Sequence, residues 1–246
     1  MVEPDSSVLD RRPYLRVGAF VVLLAGVVTW SVVAPHVSHV GLWPAVAIIS
    51  AAVMPATLGL IFLALPLWRR PWIIVAAAIF AIAAVVTWKT DARLASNFAK
   101  LAAYTFVGWA FLRLFEELSW VVIVAAVIPF VDAISVAAGP TNQIVNHHPE
   151  VYSAVAVAFL APGGGAAYLG PPDILFFALF LASTVRWNLR PGWTWLAMTG
   201  MYSLTLVTVN AVDVNGLPAL PFLSAGFLLA NGDLLWKRLR RPRPAA

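Results

Sequence analysis

An all-α, polytopic membrane protein is what this sequence predicts, and three observations predict it. Hydrophobic residues make up 61% of the chain and charged residues 11%, with a mean hydropathy of +0.86. A soluble domain of this size would carry that balance only by exposing large apolar patches. The apolar residues gather in windows long enough to cross a hydrocarbon core of about 30 Å. Lysine and arginine sit mostly in alternate connections, as cytoplasmic loops require.

In chain order the windows fall near 15–35, 41–67, 72–88, 98–115, 119–138, 169–187, 192–211 and 216–236. The first follows Arg11, Arg12 and Arg16 and lacks a small-residue cleavage site, so it reads as a retained anchor rather than a signal peptide. The second contains Pro55 and Gly59, which either kink it or serve its packing. Four spans therefore occupy 1–118, and 119–246 forms a second group that carries the acidic residues discussed below. Trp68, Trp72, Trp88, Trp120, Trp187, Trp193 and Trp236 fall near window ends, where interfacial belts form.

Eight spans place both termini on one side. The inner segments then hold Arg11, Arg12, Arg16, Arg69, Arg70, Arg113, Arg186, Arg190 and five basic residues of the tail KRLRRPR, against Lys89, Arg93 and Lys100 outside. The expected location is thus a prokaryotic plasma membrane with cytoplasmic termini, and the tail's natural partner is anionic lipid. The longest connection, 139–168, contains VYSAVAVAFLA, which is too short to span and reads as an interfacial helix, a re-entrant piece or a strand. PGGG after it reads as a turn. A ninth span through this connection would invert the C-terminal half and worsen the charge balance.

Several function classes are excluded or left without a signal. With no cysteine there is no disulfide and no thiolate nucleophile or metal ligand. Basic residues scattered among loops give nucleic acid no patch to bind. No Gly-x-Ser-x-Gly, His-Glu-x-x-His or P-loop occurs, and nothing points to a cofactor. His147–His148 are adjacent, so they point apart on an extended chain, and no carboxylate cluster accompanies them as metal ligands.

Two aspartates stand out. Asp132 lies inside VVIVAAVIPFVDAISVAA, and Asp173 heads GPPDILFFALFLA. A carboxylate is expensive to hold within a span and marks a functional site by default. At 1.5 Å per residue, Asp132 lies about 9 Å and Asp173 about 5 to 7 Å below the same outer surface, so the two can meet. Each has a plainer reading: Pro171-Pro172-Asp173 suits a helix start, and Asp132 suits an interhelical hydrogen bond. The third feature is Pro218-Ala219-Leu220-Pro221, whose prolines keep the outer start of the last window irregular. A protease, a proton-coupled carrier and a catalytically inactive scaffold all remain open at this point.

The sequence Phe130-Val131-Asp132-Ala133-Ile134-Ser135-Val136, then Leu169-Gly170-Pro171-Pro172-Asp173, then Pro218-Ala219-Leu220-Pro221 resembles three signatures of the presenilin and signal peptide peptidase family of intramembrane aspartyl proteases. That family carries Tyr-Asp, Gly-x-Gly-Asp and Pro-Ala-Leu motifs; here Val131 replaces the tyrosine and Pro172 the second glycine. The resemblance covers roughly the C-terminal 130 residues. It implies a presenilin-like fold, which in that family has nine helices, and catalysis by Asp132 and Asp173. Substrate contacts would come from Gly170, Pro171, Pro172, Pro218, Ala219, Leu220 and Pro221, and the substrate would be a transmembrane helix that unwinds at the site. The orientation is similar to that of signal peptide peptidase.

Overall fold

A computed structural model describes residues 13–138, 149–212, 214 and 216–239. Arg11, Arg12, His147, His148 and most of the basic tail lie outside the described residues. The structure is almost entirely helical, and a helix occupies each of the eight windows. Helix α1 spans Pro13–Val33, α2 Leu42–Ile48, α3 Met54–Ala64, α4 Ile73–Lys89 and α5 Arg93–Leu112. Then follow α6, Leu118–Ala138, a short α7, Pro149–Val155, and three long helices, α8 Pro171–Arg186, α9 Pro191–Val212 and α10 Leu220–Leu239. Pro13–His36, Leu42–Arg69, Leu118–Ala137 and Pro191–Val212 are each long and apolar enough to cross a membrane. The chain is an α-helical membrane protein.

The second window is one path with two changes of pitch. A π-helical turn, Ile49–Val53, joins α2 to α3, and the Met54 N–H donates to the Ile49 carbonyl. Pro55 explains it: the ring has no N–H to return to Ala51, and a wider turn relieves the clash that a proline makes with the preceding turn. Gly59 serves packing, since a Cβ there would lie 3.1 Å from Leu23 of α1.

Helix α8 forms the centre. Ile174 and every residue from Phe177 to Ala182 are fully buried, as expected for a helix apolar on all sides and surrounded by others. Two glycines let neighbours approach. A Cβ on Gly108 of α5 would overlap the Leu175 carbonyl oxygen of α8, and one on Gly226 of α10 would lie 2.9 Å from the Met198 Cα of α9. Phe180 stacks on Phe227 at 4.8 Å between centroids, tying α8 to α10. Helix α6 is peripheral: among its described side chains only Leu118, Val121 and Ala125 are buried, while Phe130, Val131 and Ile134 face outward.

The connection 139–168 holds both a helix and strands. Helix α7 leads into β1, Val157–Leu160, which pairs antiparallel with β2, Ala166–Leu169, in the register Val157↔Leu169 to Leu160↔Ala166. PGGG is the turn between them, with Gly163 and Gly164 at φ 80° and 87°, where side chains are strained. Val157 and Phe159 are buried while Ala158 and Leu160 are only partly so, the alternation a strand imposes.

Polar side chains tie down the end of α7 and the outer edge of β1. Asn97 donates to the Ala158 carbonyl at 2.9 Å and accepts from its N–H at 2.8 Å. Lys100 Nζ donates to the carbonyls of Ala156 at 2.6 Å and Ser153 at 3.2 Å. Tyr104 bonds the Val155 carbonyl at 2.7 Å, and Trp30 Nε1 bonds that of Leu160 at 2.9 Å. Asn97, Lys100 and Tyr104 share one face of α5, at steps of three and four. Because backbone groups alternate in direction along an antiparallel strand, the N–H and C=O of Tyr168, opposite Ala158, point away from β1. Among the described residues, the open edge of the hairpin is β2.

Candidate active site

Asp132 sits on α6, three residues beyond Pro129, which interrupts the helical bonding there. Its Oδ2 accepts the backbone N–H of Leu220 at 3.0 Å. That amide is free to donate because Pro218-Ala219 keep the backbone non-helical until Leu220, leaving the first N–H groups of α10 without intrahelical partners.

Asp173 is the third residue of α8, in the first turn after Pro171 and Pro172. Its Oδ2 accepts the Gly170 N–H at 2.8 Å, so the helix-start reading of this residue holds as local structure. The Asp173 carbonyl accepts from the Tyr202 hydroxyl at 2.8 Å, fixing the turn against α9. A Cβ at Gly170 would lie 3.3 Å from Asp173 Oδ2, a tight contact to which the carboxylate would have to yield.

The two carboxylates line one cavity of about 970 Å³ and lie within electrostatic reach of each other. Four of the seven residues expected to contact substrate, Gly170, Pro171, Pro172 and Ala219, also line it. Pro218, Leu220 and Pro221 do not; Leu220 contributes its amide to Asp132 instead. Val131, beside Asp132, is 53% exposed and faces away from the cavity side of α6.

Sequence reasoning missed several lining residues: Tyr152 of α7, Tyr202 of α9, and Ile49 and Met54 at the π-helical turn. An aromatic hydroxyl in an apolar run was the only available signal for the two tyrosines. All of β2 lines the cavity as well, so the open strand edge and the carboxylates share one space. Among the described residues no group of three or more His, Asp or Glu is placed to hold a metal ion.

Chemically, a pair of interacting carboxylates in a largely apolar cavity can hold one proton between them, so that one accepts and the other donates. Compared with known proteins, the chain matches no family model, no curated protein and no solved structure.

Proposed function

We propose that the protein is an intramembrane aspartyl endopeptidase of the presenilin and signal peptide peptidase type. In this reading it crosses a prokaryotic plasma membrane eight times, with both termini cytoplasmic. The observation that carries the reading is the convergence of Asp132 and Asp173, from separate apolar helices, on one cavity within electrostatic reach of each other. Two intramembrane carboxylates are costly to keep, and the chain adds backbone donors from Gly170 and Leu220 that orient both.

The ionised carboxylate takes a proton from a water molecule, whose oxygen adds to the scissile carbonyl carbon. The protonated carboxylate passes its proton to the carbonyl oxygen, giving a neutral gem-diol. Collapse re-forms the C=O bond and breaks the C–N bond. One hydroxyl proton returns to the dyad and the amide nitrogen is protonated, so a carboxylic acid and an amine leave and one proton again remains on the pair.

The substrate is a transmembrane helix of a peptide or protein, delivered from the surrounding lipid. Its peptide bonds are shielded until it unwinds. The edge of β2 that no described residue pairs with ends immediately before Gly170, so an unwound segment added there as a third strand lies beside Asp173.

The test is cleavage of a panel of single-span reporters by purified protein in liposomes, with Asp132→Ala and Asp173→Ala alongside. Cleavage that is lost in both variants and blocked by a hydroxyl-containing peptide isostere is the expected result. Folded wild-type protein that cleaves nothing overturns the reading, and proton flux through the same liposomes then tests a carrier.

A further inference from the structure

We propose that Tyr152 is a further catalytic residue, whose hydroxyl donates a hydrogen bond to the substrate carbonyl oxygen as negative charge develops on it. This rests on the endopeptidase reading. Tyr152 lines the same cavity as Asp132 and Asp173 and lies within electrostatic reach of both. Among the described residues none accepts a hydrogen bond from its hydroxyl. Tyr202, by contrast, has its hydroxyl committed to the Asp173 carbonyl.

The tyrosine is held rigidly, which a transition-state donor requires. Its ring meets that of Tyr168 on β2 edge-on, 6.1 Å between centroids at 60°. The backbone just after it is fixed to α5, with Ser153 and Ala156 bonded by Lys100 and Val155 by Tyr104. Tyr152 therefore adjoins β2 inside the cavity that both carboxylates line, within reach of a strand added there. Burial, then the charges of Asp173 and Asp132 and the nearby Tyr168, push the phenol above its ordinary range. It stays protonated, and so remains a donor, at every pH at which the protein is handled.

The experiment measures kcat and KM of Tyr152→Phe, Tyr152→Leu and Tyr14→Phe on one cleaved reporter. Each kcat is normalised to sites titrated with a tight-binding hydroxyl isostere, so that loss of folded protein does not count as loss of chemistry. Removing one oxyanion donor lowers kcat by about 100-fold. We expect Tyr152→Phe to lose at least about tenfold in kcat with KM within about twofold, on that same basis. Tyr152→Leu should lose as much in kcat and also raise KM, because the Tyr168 contact goes too. Tyr14, 90% exposed at the start of α1, controls for loss of a hydroxyl in general. If Asp132→Ala abolishes cleavage while Tyr152→Phe stays within twofold of wild type, the protease reading stands and the Tyr152 assignment is overturned. If wild type does not cleave, both fall.

Discussion

The backbone amide of Leu220 donates to Asp132 Oδ2 at 3.0 Å, joining the first residue of α10 to a carboxylate on α6. Leu220 is itself almost fully buried, so its N–H has no recourse to water. The orientation of this carboxylate is thus set by a helix start 88 residues further along the chain.

Asparagine and leucine at position 132 should separate charge from hydrogen bonding. Asp132→Asn keeps an acceptor for the Leu220 amide and should be inactive yet nearly as stable as wild type. Asp132→Leu leaves that amide unpaired and should lose about 1–3 kcal/mol of stability. Thermal unfolding in detergent compares them; equal midpoints would mean that the amide bond contributes nothing.

Gly108→Ala is expected to damage the site from the far side of α8. The new methyl overlaps the Leu175 carbonyl, two residues past Asp173, so α5 and α8 must separate. Overpacking of this kind costs about 1–3 kcal/mol, and cleavage should fall with it. Gly170→Ala presses on the Asp173 carboxylate itself and should lower kcat with a smaller change in unfolding temperature.

Relative to Tyr168→Ala, which already loses the ring contact to Tyr152, Tyr168→Pro removes the outward N–H of β2 without touching the ladder to β1, because proline is tolerated at an edge. KM for a helical substrate should rise by about tenfold or more, the equivalent of one lost hydrogen bond of about 1.5 kcal/mol. An unchanged KM would show that substrate does not pair with this edge.

Lys100→Met leaves the carbonyls of Ser153 and Ala156 without their donor. The expected outcome is a loss of about 1–3 kcal/mol and faster protease cutting within 149–165. Resistance equal to wild type would show that Asn97 and Tyr104 hold the segment unaided.

The long helices were legible because hydropathy reports burial in an apolar environment directly, and the starts of α8 and α10 because proline and glycine have few other uses in apolar sequence. The hairpin was only one of three readings for VYSAVAVAFLA, since a run that short carries neither a helical nor a strand period clearly. By its charge Lys100 belongs with an outer connection. In the structure it is buried on α5, its stem among apolar neighbours and its ammonium on backbone carbonyls. Val131 and Phe130 show the converse: they adjoin Asp132 in sequence but face outward, because helical geometry turns successive residues about 100° apart.

The bond between Leu220 and Asp132 also orders events during biosynthesis. Helices emerge from the ribosome one after another, and α10 is the last described helix to be made. Until it arrives, Asp132 lacks the donor that aims it, and the wall of the cavity that includes Ala219 is missing. Under the endopeptidase proposal, a nascent chain therefore has no assembled site until α10 is in place.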